Sequence, residues 1–458
     1  MSGRILIADS TAGERIVLKA RLASHAYQIT QAASAPEVLR IVSQDPPDLV
    51  LLPRRLGDID GVALCQAMRA DTSLRRLPVI LRLDRSDCLT RIRALEAGVD
   101  AVVDSTSAPA LLSARIRNLL RRYASEEDLN AASETAHGPG FADAGAAFRP
   151  AGRVVLITPH AREGVAWRGA LLKRLRGQIR VLPESTALAA LGRDTQPDAI
   201  IVAENAEAPH RTLRLISDLR CRANTMRAPI LLVQDSPRTD PAVTALDIGI
   251  SDLVETGFDA DEVAMRLRRE LARKAQEDRA RAVLRDGVRL AVTDPLTGLF
   301  NRRYAMDRLD QFAAEARRGA EGYAVMALDL DRFKSINDRY GHAAGDAVLV
   351  EIAARMSRCL RQGDLLARIG GEEFLAVVRG CGLDRAKSAA DRLRRAICDR
   401  PVTLPDGLGE IPVTVSIGLV MSDTHPAGSG ALLTFADRAL YEAKADGRNQ
   451  VTVSSCAA

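Results

Sequence analysis

Residues 367–378 read ARIGGEEFLAVV, a turn signal followed by a strand signal. Two successive glycines favour a two-residue hairpin turn, because glycine reaches positive φ without a steric penalty. The run FLAVV that follows has the β-branched residues of a strand. Glu372 and Glu373 therefore stand where a tight turn enters a strand. Adjacent carboxylates repel each other, so this pair either lies in solvent or holds a cation.

A second acidic pair lies upstream, where residues 324–349 read AVMALDLDRFKSINDRYGHAAGDAVL. VMALDLD is an apolar strand that ends in Asp329 and Asp331, which share a face because side chains alternate along a strand. If FLAVV pairs beside this strand, Asp329 and Glu372 come close enough to share a metal ion. Oxygen ligands at a strand end suit Mg²⁺, which is often held by one or two carboxylates plus substrate phosphates.

The composition is that of a globular protein with several domains. The chain has 458 residues, of which 47% are apolar and 27% are charged. At ~100–200 residues per domain, this length indicates about three domains. The net charge of +5 is a weak bias, and no basic tract interleaved with aromatic residues predicts nucleic-acid binding. No run approaches the ~18 apolar residues of a membrane span.

The cysteines and the first residues indicate a reducing compartment. The seven cysteines are scattered, odd in number and form no CxxC pair, which is typical of free thiols. The first residues, MSGRILIADS, enter a strand directly and lack a signal-peptide pattern. We therefore expect a cytoplasmic protein.

The first part of the chain contains an internal repeat, because four pairs of similar segments recur in the same order at a nearly constant offset. The pairs are RILIADSTAGERIVLKARL with RVVLITPHAREGVAWRGALL, PDLVLLP with PDAIIVA, LPVILRL with APILLVQ, and ALEAGVDAVV with ALDIGISDLV. In each repeat, continuous apolar runs alternate with helical patterns, which is typical of parallel strands covered on both faces. We predict two doubly wound α/β domains of the flavodoxin type, residues 1–124 and 153–275.

Two connecting segments complete this outline. Residues 125–152 are small, polar and contain glycine and proline, which predicts a flexible linker. Residues 261–292 have a long helical pattern rich in arginine, alanine and glutamate, and we assign residues 276–292 as a connecting helix. Its apolar seam either pairs with a second copy of itself or packs on its own domain. Residues 293–458 form the last domain.

Five segments of the last domain follow one another in a specific order. They are DPLTGLFNRRY, LDLDRFKSINDRYGHAAGD, RIGGEEF, VTVSIGLV and ADRALYEAKADGRNQV. In this combination the domain resembles the GGDEF-family diguanylate cyclases along its whole length. The resemblance implies a fold similar to nucleotide cyclases and polymerase palms, and the condensation of two GTP molecules into cyclic di-GMP with release of pyrophosphate. It also implies two Mg²⁺ or Mn²⁺ ions per active site and an active homodimer, since each domain has one GTP site.

The resemblance implies roles for the acidic residues. Asp329, the backbone carbonyl of Leu330, and Glu372 are expected to hold metal, and Glu373 to complete the second metal site. Glu372 is also the expected proton acceptor for the 3′-hydroxyl. Lys334 is expected to stabilise charge on the transferring phosphate.

The resemblance also implies the substrate contacts. Gly370 and Gly371 let the backbone approach the phosphates, and Asn337 and Asp346 are expected to read guanine. The remaining phosphate contacts are Lys444 and Arg448. From the residues alone, other interpretations stay open. Lys334, Lys444 and Arg448 have the pattern of ordinary surface cations. Asn337 and Asp346 have the pattern of turn or cap residues.

The segment RQGD, Arg361 to Asp364, precedes the GGEEF turn. It resembles the RxxD inhibitory site of the same family, which binds the product. Arg361 offers a planar fork for phosphate and guanine, and Asp364 would accept hydrogen bonds from guanine. Arg392 aligns with a further arginine of that site. The sequence leaves open whether Arg180 of the second repeat joins it.

The two repeats resemble response-regulator receiver domains whose phosphorylation chemistry is missing. The first repeat keeps Asp9, but Pro53 stands at the phosphoacceptor position. Leu83 and Asp104 stand where receivers have Thr and Lys. In the second repeat Ala203 stands at the acceptor position. Neither proline nor alanine is a nucleophile, so we expect pseudo-receivers that serve as a platform for dimerisation and regulation.

Two classes of function therefore compete. The first is an active diguanylate cyclase that binds GTP and is inhibited by cyclic di-GMP, with a regulatory protein at the repeats as a further candidate partner. The second is a cyclic di-GMP-binding scaffold with weak or no catalysis. The intact GGEEF segment, together with Asp329 and Lys334, favours the first. We expect neither nucleic acid nor a membrane span among the partners.

Overall fold

The structure, a computed structural model, describes residues 3–23, 27–84, 88–136, 152–192, 196–318, 322–405, 408–423 and 429–454. The chain divides into two compact units, Met1–Val283 and Leu284–Ala458. Within the described ranges, no helix is long and apolar enough to cross a membrane.

The first repeat folds around a five-stranded sheet in which all neighbouring strands are parallel. Its elements are β1 (Arg4–Ala8), α1 (Ala12–Ala23), β2 (Gln28–Ala32), α2 (Ala35–Gln44), β3 (Leu49–Pro53), β4 (Arg55–Leu56), β5 (Ile59–Asp60), α3 (Gly61–Ala70), β6 (Val79–Leu83), α4 (Cys88–Glu96), β7 (Ala101–Asp104) and α5 (Pro109–Ala136). The strand order is β2-β1-β3-β6-β7. This is the flavodoxin order, so the predicted doubly wound fold is confirmed.

The second repeat has the same architecture. Its elements are β8 (Gly152–Thr158), α6 (Ala161–Leu172), β9 (Gly177–Pro183), α7 (Ala187–Ala190), β10 (Ala199–Ala203), α8 (Pro209–Cys221), β11 (Ile230–Val233), α9 (Thr239–Ile248), β12 (Asp252–Val254) and α10 (Ala260–Val292). The order β9-β8-β10-β11-β12 repeats that of the first sheet. The long helix predicted over residues 261–292 is confirmed as α10, which is continuous with the segment assigned as a connecting helix.

The predicted flexible linker over 125–152 is wrong for residues 125–136, because α5 continues through them. This stretch lacks glycine and proline, and the helix is held against α10. Arg273 lies over the ring of Tyr123, 5.0 Å from its centroid, and forms an ion pair with Glu126. Residues 137–151 of the predicted linker lie outside the described residues, and β8 begins at Gly152.

The two repeats share one packed unit rather than forming separate domains. Leu111 and Ala114 of α5 belong to the hydrophobic core of the second repeat. The side-chain amide of Asn118 donates to the carbonyls of Leu246 and Ile250, at 3.2 and 2.9 Å. Buried hydrogen bonds of this kind fix the packing angle as well as the contact.

Buried ion pairs reinforce this packing. Arg91 of the first repeat pairs with Glu262 of the second at 3.0 Å, and the same carboxylate pairs with Arg266 at 2.9 Å. The side chains of Arg266 and Glu262 are only 2% and 1% exposed.

The last unit contains a six-stranded mixed sheet. Its elements are β13 (Phe300–Asn301), α11 (Arg302–Arg317), β14 (Tyr323–Leu330), α12 (Phe333–Tyr340), α13 (His342–Cys359), β15 (Leu365–Gly370), β16 (Glu373–Arg379), α14 (Leu383–Cys398), β17 (Val402–Thr403), β18 (Glu410–Ile411), β19 (Val415–Met421), α15 (Ser429–Ala445) and β20 (Val451–Val453). The strand order is β13-β15-β16-β14-β19-β20, and β17 pairs with β18 separately.

Strand β14 lies in the middle of this sheet and is buried along its whole length. Met326 and Leu328 face the core formed with α12, α13 and α14, whereas Val325 and Ala327 face the core formed with α11 and α15. Because side chains alternate along a strand, Asp329 lies on the second face. The strand therefore brings this acid toward α15.

Candidate functional site

The hairpin of β15 and β16 brings the acidic turn beside β14, as the sequence predicts. Gly370 pairs with Glu373 across the hairpin, so Gly371 and Glu372 form the two-residue turn. Gly371 has φ +49°, a value that glycine adopts at no steric cost. In the antiparallel pair of β14 and β16, Asp329 lies directly opposite Glu373.

Glu372 approaches β14 through its backbone. The N–H of Leu330 donates to the carbonyl of Glu372 at 3.3 Å. A Cβ atom placed on Gly370 or Gly371 would have no neighbour within 4 Å, so the space beside the turn is open. The turn thus presents an accessible backbone next to the carboxylates.

Asp329 is the buried member of this acidic group. Burial raises the pKa of its carboxyl, the ammonium of Lys444 lowers it, and Glu372 and Glu373 raise it again. Nζ of Lys444 lies 2.7 Å from Oδ2 of Asp329. Glu372 and Glu373 form no side-chain ion pair among the described residues. Three carboxylates therefore lie close together with one lysine to balance them.

Close packing of α15 on the sheet places Lys444 at this position. A Cβ atom on Gly418 of β19 would lie 2.1 Å from the carbonyl oxygen of Ala436, so only glycine allows the helix to come this near. The lysine, predicted as a phosphate contact, lies on Asp329 in the structure. Arg448, the other predicted contact, is exposed in the left-handed turn after the helix, with φ +67°.

Asp331, the second acid of the DLD segment, does not join the acidic group. Its carboxylate accepts from the hydroxyls of Thr414 and Ser416, both at 2.7 Å, and from the N–H of Asn449 at 3.0 Å. All three partners hold the carboxylate of Asp331 in place, so it is committed to hydrogen bonds within the protein. Its contacts tie β14 to β19 and to the turn that ends α15.

The oxygen donors fit a hard divalent cation in their chemistry. Three carboxylates and the Leu330 carbonyl are the ligand types that Mg²⁺ prefers. Burial and then the neighbouring glutamates raise the pKa of Asp329, and a bound cation would favour the ionised carboxylate instead. Among the described residues, no group of three or more His, Cys, Asp or Glu side chains is already gathered at ligand distance.

The predicted guanine-reading pair lies where α12 meets α13. Oδ1 of Asn337 would lie 1.9 Å from a Cβ atom on Gly345, so the amide rests on this glycine. Asp346 is exposed on the first turns of α13. The N-terminus of α13 has no side-chain cap, so the alternative of a cap residue has no support there. Lys334, on α12, is exposed and has no acidic partner among the described residues.

The RQGD segment forms a tight turn in which Asp364 is committed to the backbone. Its carboxylate accepts from the N–H groups of Arg361 and Arg379, at 3.2 and 3.3 Å, and its side chain is 3% exposed. Arg361 is 61% exposed. Arg392 is exposed as well, and its Nε donates to the carbonyl of Cys359 at 3.1 Å. The structure therefore presents the two arginines to solvent but not the aspartate. Arg180 is exposed on β9.

Sequence reasoning missed a cavity of about 270 Å³ beside Asp329 and Glu373. Its wall includes Arg302, Asp437 and Tyr441. Burial raises the pKa of Asp437, Glu373 raises it further, and Arg302 lowers it. The signal was present in the sequence, because Asp437, Tyr441 and Lys444 are spaced to share one face of a helix.

In the first repeat, an arginine lies beside Pro53, which stands at the degenerate phosphoacceptor position. Pro53, the last residue of β3, pairs with Arg82 of β6. The guanidinium of Arg82 lies 3.7 Å from the carboxylate of Asp9 and 3.3 Å from that of Glu14. Asp104 accepts from the N–H and hydroxyl of Thr106. Leu83, at the position where receivers have Thr, is fully buried.

The corresponding region of the second repeat also lacks a phosphoacceptor. Ala203 ends β10, and the carboxylate of the next residue, Glu204, accepts from Nε2 of Gln234 at 3.0 Å. Both residues are buried. Thr158, at the end of β8, donates its hydroxyl to the carbonyl of His160.

Comparison with known proteins shows the family of the chain. The family described as "Diguanylate cyclase, GGDEF domain" matches residues 291–450, and "Response regulator receiver domain" matches residues 5–117. The response regulator PleD of Caulobacter vibrioides is 32% identical over 454 residues, which are 98% of this chain and 99% of PleD. The chain belongs to the PleD-like GGDEF diguanylate cyclases. The resemblance inferred from the motifs is thus confirmed, and so is diguanylate cyclase activity.

Other members of this family match the last unit. The probable diguanylate cyclase DgcT of Escherichia coli is 38% identical over 172 residues, 38% of either chain. The solved GGDEF domain of DgcB from Caulobacter crescentus, in complex with c-di-GMP, is 32% identical and covers 36% of this chain and 94% of its own, with a TM-score of 0.35.

Proposed function

We propose that this chain condenses two GTP molecules into cyclic di-GMP with release of pyrophosphate. The observation that carries the proposal is the register of β14 and β16, which sets Asp329 opposite Glu373 with Lys444 at 2.7 Å. A buried strand end that collects carboxylates is unfavourable for stability, because each charge opposes the ionisation of the others. Such an arrangement is expected where a ligand carrying cations is bound.

Four groups would hold the two Mg²⁺ or Mn²⁺ ions: the carboxylates of Asp329, Glu372 and Glu373, and the carbonyl of Leu330. When bound, the divalent cations would neutralise phosphate charge and lower the pKa of the attacking hydroxyl. Glu372 would accept the proton from the 3′-hydroxyl, since it lies in the exposed turn rather than in the strand.

The remaining residues would bind and orient GTP. Lys334, exposed on α12, and Arg448, exposed after α15, would meet phosphate oxygens, and Lys444 would exchange its contact with Asp329 for a phosphate. Asn337 and Asp346 would hydrogen-bond guanine at the junction of α12 and α13. A carboxylate accepts from the N1–H and N2–H donors of guanine, which adenine lacks, so ATP would leave a polar group unpaired. The open turn at Gly370 and Gly371 would let phosphates contact backbone N–H groups.

An active dimer follows from the stoichiometry. Each chain supplies one set of site residues, whereas the product is a symmetric dinucleotide. The last units of two chains must therefore face each other during the reaction, and activity per protomer should fall when the protein is diluted to monomers.

Product inhibition would act through the two exposed arginines of the RQGD region. Arg361 and Arg392 are exposed and would bind the phosphates of cyclic di-GMP, Arg361 in exchange for its contacts with Asp364 and the carbonyl of Arg379. For Asp364 to accept from guanine as well, it would have to release one of its backbone partners, so its first role would be to hold the turn. Arg180 of the second repeat is a further candidate contact for the same product.

The two repeats would act as a dimerisation and regulatory platform that is not phosphorylated. Pro53 and Ala203 carry no nucleophile, and Arg82 already neutralises Asp9 in the first repeat. A regulatory protein that binds the repeats would supply the signal.

The deciding experiment incubates the purified full chain with GTP and Mg²⁺ and measures nucleotides by chromatography. We expect cyclic di-GMP and pyrophosphate in a ratio of one to two, with no product from ATP. Absence of cyclic di-GMP from folded dimeric protein would refute the proposal.

A further inference from the structure

A cavity lined by arginines lies between the two repeats and has no part in the chemistry above. It has a volume of about 360 Å³, is bounded by α5, α10, residues 226–229 and residues 248–251, and is here called the arginine cavity. This volume is in the range of small-ligand pockets, ~300–1,000 Å³. Its charged lining residues are Arg121, Arg122, Arg220, Arg227, Arg273, Lys274, Arg281, Glu270 and Glu277.

Four of the seven cations have carboxylate partners. The pairs are Arg122 with Glu270, Arg273 with Glu126, Lys274 with Asp278, and Arg281 with Glu277. These pairs account for the acids of the lining and leave its positive charge in excess.

The other three cations have no carboxylate partner among the described residues. Arg121 donates only to the carbonyls of Leu246 and Asp247, and the Asp247 carboxylate is taken by Arg117 at 2.8 Å. Arg227 is exposed and forms no ion pair within the described ranges.

Arg220, the third of these cations, donates to the carbonyls of Met226 and Ala228, at 2.8 and 2.9 Å. Its guanidinium is held in place by neutral groups, and Glu270 acts on its charge only from beyond ion-pair distance.

Two arginine nitrogens of the cavity are buried without any acceptor: Nε of Arg220 and Nη2 of Arg273. A buried donor without a partner costs stability unless a ligand or water satisfies it. Burial, together with the neighbouring Arg122, lowers the pKa of Arg220 to about 10. Burial also lowers the pKa of Arg273. At these two arginines burial opposes the charged form, whereas the pKa of Arg122 in the same cavity is raised by Glu270.

We propose that the arginine cavity binds the polyphosphate group of a small anion. Arginine forks match phosphate oxygens in geometry, and three arginines without a carboxylate ion-pair partner among the described residues favour a ligand with several negative charges. The ligand is either a free polyphosphate or a nucleoside polyphosphate. Met226, Pro229 and Ile250 give the cavity an apolar side against which a base or ribose would pack.

The bound anion would join the two repeats. Arg121 belongs to α5 of the first repeat, whereas Arg220 and Arg227 belong to the second. A ligand held by both sides stabilises their packing by mass action. The cavity thus gives this protein a chemical input at the position where its repeats meet, independent of the acceptor positions.

The test titrates the full chain with inorganic tripolyphosphate and, separately, with ATP, using calorimetry. The variants are Arg227→Glu and Arg121→Gln, which remove one uncompensated arginine from each repeat. The matched control is Arg214→Glu, an exposed arginine on α8 outside the cavity lining. We expect each cavity variant to weaken binding at least ~10-fold, the size expected for one charged hydrogen-bond contact, and the control to leave it unchanged.

A second readout is the fluorescence of Trp167, the one tryptophan of the chain, which lies in α6 of the second repeat. The anion should raise the melting temperature seen by this probe in the wild type and the control but not in the cavity variants. Tighter binding of ATP than of tripolyphosphate would identify a nucleoside ligand, and equal binding a free polyphosphate. Absence of binding by both, or equal binding by Arg227→Glu and the wild type, would overturn the proposal.

Discussion

The two compact units use their charged side chains in opposite ways. In the first unit, acids are paired with arginines even where both are buried, as Glu262 is with Arg91 and Arg266. In the second unit, Glu372 and Glu373 stand beside Asp329 without an ion pair of their own among the described residues. Paired charges hold one surface on another, whereas a group of like charges costs stability that a bound cation would offset.

The same contrast separates the repeats from the receivers they resemble. Their fold is intact, and yet the acid that remains in the first repeat, Asp9, has Arg82 beside it. In the first repeat, the missing acceptor and the paired acid therefore occur together. The predictions below test whether paired and unpaired charges have these different roles.

The largest effect should come from breaking a buried ion pair between the repeats. Glu262→Ala leaves Arg91 and Arg266 buried without this carboxylate and should cost about 3–5 kcal/mol of unfolding free energy. Asp286→Ala is the control, because its pair with Arg289 is largely exposed and is worth ~0–1 kcal/mol. Urea unfolding followed by Trp167 fluorescence measures both. A loss below ~1 kcal/mol in Glu262→Ala would show that these pairs do not hold the repeats together.

The next effect is a loss of catalytic turnover without a loss of folding stability. Glu372→Gln and Asp329→Asn keep the size of the side chain and remove its charge, so each should lower cyclase turnover at least ~10²-fold, as expected for one preorganised electrostatic group. Asp307→Asn, on the exposed side of α11, is the control and should keep full activity. Near-normal turnover of either site variant at saturating Mg²⁺ would contradict the assigned site.

A smaller effect is expected at the inhibitory region. Arg361→Ala should keep turnover and raise the cyclic di-GMP concentration needed for half inhibition at least ~10-fold, because one charged contact to phosphate is lost. Arg438 is an exposed arginine on α15, and the variant Arg438→Ala should be inhibited by cyclic di-GMP to the same extent as the wild type. Unchanged inhibition in Arg361→Ala would mean that the product acts elsewhere.

Glu204 offers a pH-dependent test of a buried acid in the second repeat. Burial raises its pKa above the usual 4.5, although the hydrogen bond from Gln234 opposes this shift. The folded state therefore binds the proton more tightly than the unfolded state. As a result, stability falls as pH rises above about 4.5 toward the folded pKa, and the deficit is complete above it.

Glu204→Gln removes this deficit, and its amide is able to donate to Oε1 of Gln234, which has no partner. We expect a gain of ~1 kcal/mol at pH 7.5 that shrinks toward pH 4.5, measured by Trp167 fluorescence. Glu207→Gln, an exposed neighbour, should change nothing. Destabilisation of Glu204→Gln at pH 7.5 would assign a role to the ionised carboxylate.

The smallest effect, none, is expected from phosphoryl donors. Beryllofluoride or acetyl phosphate should change neither the dimer fraction nor cyclase activity, because Pro53 has no nucleophile and Arg82 occupies the acidic region. Asp60 already accepts from the N–H of Val62 as the N-cap of α3. An increase in either quantity that vanished on mutation of Asp58 or Asp60 would reveal a displaced acceptor.

The sequence predicted the sheets and the pairing that builds the site, since apolar runs and turn residues are local signals. It placed FLAVV beside VMALDLD, but it could not give the register. The structure sets Glu373 opposite Asp329 and leaves Glu372 in the turn. The β15–β16 pair contains a bulge between Arg368 and Gly370 just before the turn, and no local pattern indicated it.

Long-range partners explain what the sequence could not provide. Residues 125–136 are too polar to predict a packed helix, and their order depends on Arg273, far along the chain. The RQGD motif predicts that Asp364 contacts the product. In the structure its carboxylate accepts a hydrogen bond from the N–H of Arg379, at the end of β16.

Asp331 illustrates how one short motif contains two kinds of constraint. Its hydrogen bonds to Ser416 and to the N–H of Asn449 anchor the chain just after Lys444, so the lysine keeps its place only while this carboxylate holds the turn. In a mutational scan scored by activity alone, substitutions at Asp331 would be depleted as strongly as those at Asp329. A scan scored by abundance as well would separate the two, because only the anchor would also lower the amount of folded protein.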